Sequence, residues 1–181
     1  MSVVHLNQSH LSKEVQTLYE DLHQMQHASA SINGLIYRGD VAHPLHIPKA
    51  GSALNLMPAN VEVKGPTLFS FGSLSQYNPE NSNQKNIWQR LRFNDTFSAA
   101  ELNYLIRNNS VPSFSLVYFP DLDQRVHKNG PTDIKGIVKS DQQLQEILNS
   151  YPSWEEALDK AIGLFMVTAD SLSLKRNGIK P

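Results

Sequence analysis

Apolar residues fall three and four apart at Leu11, Val15, Leu18, Leu22 and Met25, a spacing that predicts an amphipathic helix over 11–25. Ile32 to Tyr37 is a short apolar run interrupted by Gly34 and reads as a strand. From Arg38 to about Asn86 the pattern breaks up among Pro, Gly, Asn and Ser, which predicts loop with short strands such as Thr67–Phe71. Periodicity returns after Phe93. Ser98-Ala-Ala-Glu101 has the form of a capping box, with Phe97 and Leu102 placed as its hydrophobic staple, and predicts a helix over 98–108. Phe114–Phe119 is an apolar run of buried-strand length, followed by a polar stretch, Pro120 to Pro131, read as a loop. Ile134, Ile137, Val138, Leu144, Ile147 and Leu148 keep helical spacing and predict a helix over 132–149. Ser153-Trp-Glu-Glu156 opens a shorter one over 154–161, and 163–168 is a second apolar strand running into Asp170.

Strand, loop, helix, helix, strand is the order of a parallel pair joined by a right-handed crossover. The expected fold class is therefore α/β, a mostly parallel sheet with flanking helices and a loop-rich segment. Both strands of such a pair end on one edge of the sheet, where ligands of open α/β sheets bind.

Composition narrows the chemistry. The 181 residues suit one domain, and 40% apolar with 18% charged content suffices for a core. A net charge of -1 with both signs interspersed gives no basic stripe, so no nucleic-acid polymer is expected as partner. No run of about 18 apolar residues predicts a membrane span, and the first residues lack a basic region followed by an apolar stretch, so no secretory signal is expected. Cysteine is absent, which excludes disulfides, thiolate catalysis and Cys-based zinc sites. A metal would have to be held by carboxylate and imidazole.

The predicted sheet edge collects such groups: Asp121, Asp123 and His127 in the first loop, Asp170 at the end of the second strand. Two ligands four apart, Asp123 and His127, can converge on one divalent ion such as zinc or manganese if the chain turns back, with Asp170 approaching from the neighbouring strand. On spacing alone the same residues also fit a polar surface loop with an exposed His. His23 with His27 and His43 with His46 are further pairs, read as a helix C-terminus and an exposed turn.

The wording of the loop adds weight to the metal reading. Tyr118-Phe-Pro-Asp-Leu-Asp-Gln-Arg-Val-His127-Lys-Asn-Gly-Pro131 is similar to the metal-binding segment of type I phosphodiesterases and nucleotide pyrophosphatases, a branch of the alkaline phosphatase superfamily with bacterial members. In that segment a strand ends in a Pro-Asp-type turn, an Asp and a His four residues later bind one ion, and Gly-Pro follows. Asp123, His127 and Gly130-Pro131 take those positions, and the strand ending at Asp170 takes the place of one ending in an Asp ligand of the other ion. The resemblance spans roughly residues 10–171 and is strongest from Asn94 to Asp170. It implies a partial alkaline-phosphatase-like sandwich, a divalent metal of the zinc type, and hydrolysis of phosphate esters or nucleotides. Residues 11–37 would be helix and strand, 38–92 a cap-like cover, 93–171 the α/β metal-ligand unit and 172–181 a divergent tail.

The match is incomplete. The family's first Asp and its Thr or Ser nucleophile have no counterpart before Leu11, Asp170-Ser171-Leu172 lacks the usual glycine, and a later His ligand has no counterpart. The expectation is a partial domain with weak or no turnover, in which the second ion site is incomplete. The alternative is a non-catalytic remnant or binding protein that holds at most one divalent ion. Uncovered sheet edges would favour self-association.

Overall fold

Strand β1, Ser29–Ile32, is the centre of the sheet: it pairs in parallel with β4, Leu68–Ser70, on one side and with β5, Phe114–Val117, on the other. The computed structural model describes residues 6–46, 60–82, 93–130, 132–133 and 135–160. The class is α/β as the pattern predicts. The strand expected over 163–168 and Asp170 lie outside the described residues; the described neighbour of β5 is β1. The chain divides into two units, residues 1–119 and 120–181.

In the first unit the helix expected over 11–25 is cut to α1, Leu18–Gln24. Its start is set by Thr17, whose hydroxyl accepts the Glu20 N–H at 3.3 Å while the Glu20 carboxylate accepts the Thr17 N–H at 2.6 Å. Upstream, carbonyls that a longer helix would have used for itself are taken by one guanidinium. Arg38 donates to the carbonyls of Leu11 at 3.2 Å and Ser12 at 2.8 Å, and to that of Val15, while its Nε binds Glu20 at 2.9 Å. Buried Asn7 fixes the same turn, accepting from the Tyr37 and Arg38 N–H groups at 2.7 and 3.0 Å. Val15, Leu18 and Met25 are exposed, so their helical spacing does not mark a buried face.

The strand expected over 32–37 ends instead at Ile32, because Asn33 takes a left-handed conformation, φ 55°. Within the stretch read as loop with short strands, β2, Val41–His46, and β3, Asn60–Gly65, form an antiparallel pair in which Pro44 faces Glu62. A proline is tolerated where a strand has a free edge, since it donates no hydrogen bond. Tyr37, Leu45, Val63 and Phe69 bury a cluster under this pair. The short helix α2, Pro79–Ser82, precedes α3, Asp95–Arg107, which lays Leu105 against Ala30 and Ile32 of the sheet. Each fully buried aliphatic or aromatic side chain of this kind contributes about 2 kcal/mol.

The second unit is helical where described. Helix α4, Pro120–Asn129, packs on α5, Lys135–Leu148, and α6, Trp154–Lys160, follows. The two helices approach closely at Gly136, where a Cβ would stand 2.9 Å from Leu122 Cδ1 and 3.1 Å from its Cα. The polar stretch 120–131, read as a loop, is thus mostly helix. Pro120 suits a first helical position, Asp121 and Asp123 lie in the first turn, and His127 and Lys128 lie in the last, each sign matching the helix dipole. Among the described residues no helix is long and apolar enough to cross a membrane.

Candidate metal centre

Because β1, β4 and β5 are parallel, their carboxyl ends share one edge of the first unit, and a polar network ties them together there. Asn33, just past β1, accepts the Gly72 N–H beyond β4 at 2.9 Å and donates to Ser98 Oγ of α3 at 2.9 Å. Ser98 in turn donates to the Tyr118 carbonyl beyond β5 at 2.6 Å. Ser98 therefore does not open a helix. Asn94 does, with its side chain accepting the Phe97 N–H at 2.8 Å, and Ser98 and Glu101 are buried members of the helix facing the sheet. The Asn33-Gly34 dipeptide, a common left-handed turn signal, was the readable mark of this edge.

From Tyr118 the chain runs through Phe119 into α4, which carries the candidate ligands. Asp123 and His127 are one helical turn apart, and the Asp123 Oδ1 to His127 Nε2 distance is 3.4 Å. A tetrahedral zinc held about 2.1 Å from each of two ligand atoms sets those atoms about 3.4 Å apart. The pair already has that spacing, and its donor set, one carboxylate oxygen and one imidazole nitrogen, suits zinc or a similar ion. The site is open: the His127 side chain is 68% exposed and that of Asp123 27%. Without an ion the same two groups form an exposed pair on a helix, worth about 0.3–0.5 kcal/mol.

The neighbouring acids are otherwise engaged. The Asp121 carboxylate pairs with the Lys139 ammonium across the α4–α5 contact. Asp133 receives Asn129 Nδ2 at 2.6 Å, the Arg125 guanidinium at 2.7 Å and the Lys135 N–H at 3.1 Å, so it caps α5. The Asn129 amide foremost, then the Lys135 N–H and Arg125, holds the Asp133 carboxyl below the usual carboxylate range, against a smaller opposing effect of desolvation. Of the expected ligand set, Asp123 and His127 are brought together and Asp170 lies outside the described residues. Among the described residues no group of three or more His, Cys, Asp or Glu is placed to hold an ion.

The other histidine pairs divide. His43 and His46, read as an exposed turn, lie instead in strand β2, where His43 is half-buried with its Nε2 2.7 Å from the carbonyl of Pro66, between β3 and β4. His23 sits in the last turn of α1, as its spacing suggests. Comparison with known proteins gives no match: no family model, no curated protein and no solved structure is similar enough to the chain to bear on its function.

Proposed function

We propose that the chain binds a divalent metal ion of the zinc type through Asp123 and His127, as part of a phosphoesterase-like hydrolase of the type I phosphodiesterase kind. The supporting observation is the 3.4 Å separation of Asp123 Oδ1 and His127 Nε2, which matches neighbouring ligands of a tetrahedral ion. The loop wording from Tyr118 to Pro131 supports the family side of the proposal. An ion bound in such hydrolases polarises a phosphoryl oxygen and activates the attacking oxygen. In this chain Asp123 supplies the anionic ligand and the helix fixes its distance to the imidazole. Lys139 keeps Asp121 out of competition for the ion, and Asp170 is proposed as the third ligand. Phosphate esters or nucleotides are the proposed substrate class.

A second reading has its own support. His127 is 68% exposed and Asp123 already has a partner in it, which fits a protein that holds an ion weakly and turns nothing over. Calorimetric titration of the purified chain with zinc decides the binding question. One saturable site, lost in Asp123→Ala and in His127→Ala and weakened in Asp170→Ala, is expected. No heat above that of the double variant refutes it. Hydrolysis of a nucleotide diester that is abolished by chelator and by Asp123→Ala then separates the hydrolase from the binding protein.

A further inference from the structure

Glu101 stands in the middle of α3 with no exposed surface. Among the described residues it has no ion-pair partner, whereas Arg38 pairs with Glu20 and Arg107 with Glu80. Neutral groups surround it instead. Ser70 Oγ lies 2.8 Å from Oε2, Asn81 Nδ2 lies 2.5 Å from Oε1, and the Asn78 side chain adds a further hydrogen bond. The Tyr77 hydroxyl donates to the Glu101 carbonyl at 3.1 Å. An ionised carboxylate enclosed in this way would be costly, because no described residue offsets its lost hydration with opposite charge.

Counting protons points the same way. Ser70 Oγ reaches two acceptors, Glu101 Oε2 at 2.8 Å and the Ser75 carbonyl at 3.3 Å, and has one proton for them. With Glu101 ionised, one contact is left unmade. With Glu101 neutral, Oε2–H donates to Ser70, Ser70 donates to the Ser75 carbonyl, and Oε1 accepts from Asn81, so each of these three contacts has its proton. We propose that Glu101 is a proton-operated lock: as a neutral acid it fastens the segment Gly72–Ser82 to α3 and β4, and ionisation releases that segment.

The segment matters because Gly72 begins it and is also bonded to Asn33 at the carboxyl edge of the sheet. Loosening it therefore reaches the edge network directly. The titratable groups that the described elements bring around Glu101 are few. Strands β1 and β4 read Ser-Ala-Ser-Ile and Leu-Phe-Ser and have none. The segment itself offers Tyr77, whose hydroxyl is pushed up by burial and then by the Glu101 charge, and Glu80, whose carboxylate is taken by Arg107 of α3 at 3.2 Å. Along α3, Asp95 lies in the first turn. Burial pushes the Glu101 carboxyl above the usual carboxylate range, against the weaker pull of the Asn81, Ser70 and Asn78 hydrogen bonds.

A carboxyl raised in the folded state stabilises the fold fully below its unfolded value, and that contribution is lost as pH rises toward the folded value. One proton linked in this way changes the folding equilibrium constant by up to about tenfold per pH unit within that window. The test is infrared titration of the full chain from acid upward, with Glu101→Gln as comparison. An amide at this position donates to Ser70 and accepts from Asn81 as the neutral acid does. The expected result is a protonated-carboxyl band that persists above the ordinary Glu range of about 4.3 in wild type and is absent in Glu101→Gln. Amide exchange in Gly72–Ser82 should then rise with pH more steeply in wild type than in the variant. Loss of every carboxyl band within the ordinary range, or identical pH dependence of exchange in the two proteins, overturns the proposal. If Glu101→Gln does not fold, the wild-type band alone decides.

Discussion

Replacing Asn33 by alanine tests how the carboxyl edge of the sheet is held. Asn33 is fully buried, has φ 55°, and makes two hydrogen bonds of 2.9 Å, one accepted from Gly72 N–H and one donated to Ser98 Oγ. Alanine in the left-handed region costs about 1 kcal/mol. Leaving the buried Gly72 N–H without a partner costs about 1–3 kcal/mol. Ser98 still donates to the Tyr118 carbonyl, so its lost partner adds only about 0.5 kcal/mol. The sum is about 2.5–4.5 kcal/mol, a large share of the roughly 5–15 kcal/mol that stabilises an ordinary domain. Asn33→Gly removes the same hydrogen bonds but not the tolerance for positive φ, and should lose about 1 kcal/mol less. Urea unfolding followed by tryptophan fluorescence and circular dichroism measures both variants. A loss below 1 kcal/mol for Asn33→Ala, or equal losses for the two variants, would refute the account of this turn.

The other predictions rest on separate contacts. Arg38→Ala should cost about 3 kcal/mol, since it breaks a half-buried ion pair and frees carbonyls ahead of α1; Arg38→Lys should recover little, because one ammonium does not match the planar fork, and thermal melts compare the two. Burial alone would raise the Glu20 carboxyl, but the Arg38 and Thr17 contacts together bring it below the usual range. Its contribution is therefore present above the unfolded value of about 4.3 and lost as pH falls through the folded value, a dependence that acid unfolding should show in wild type and not in Glu20→Gln. Gly136→Ala gains about 1 kcal/mol of helix propensity but sets a Cβ 3.1 Å from the Leu122 backbone, which overpacks the contact by about 1–3 kcal/mol; a net loss near 1 kcal/mol is expected in chemical unfolding, and a gain would show that α4 and α5 are spaced further apart. Zinc binding at Asp123 and His127 should weaken on acidification, because a protonated imidazole is no ligand, and calorimetry at two pH values reads this directly.

Sequence and structure agree on where two elements lie. The run Phe114 to Phe119 contains β5, and the periodic positions from Ile137 to Leu148 fall in α5, with Ile147 buried and Ile137 and Val138 exposed. Disagreement arises where a pattern has a second physical cause. Leu11 and Val15 keep helical spacing, yet the carbonyls around them are claimed by a guanidinium 27 and 23 residues on, which no local pattern reveals. Ser98 and Glu101 have capping-box spacing but are buried polar groups bound to the sheet, a long-range role. The stretch after Pro120 looks like a loop by polarity, although its charge order already had the sign of a helix. For the candidate site, the four-residue spacing of Asp123 and His127 was legible, and the helix converts it into a ligand-like distance. That Asp121 and Asp133 are tied up by Lys139 and Arg125 was not, because those partners come from the packing of α4 on α5.

The placement of β1 between two later strands has a kinetic consequence. Ala30 meets Leu68 on one side and Ser115 on the other, so neither ladder can start from a neighbouring hairpin. Each must first close a long stretch of chain, and the entropy of doing so is spent before any strand contact forms. During synthesis the middle strand emerges first and waits, with open edges, for both of its flanks. Folding of this unit should therefore be slow and all-or-none, with the last-made flank, β5, setting when the sheet is complete.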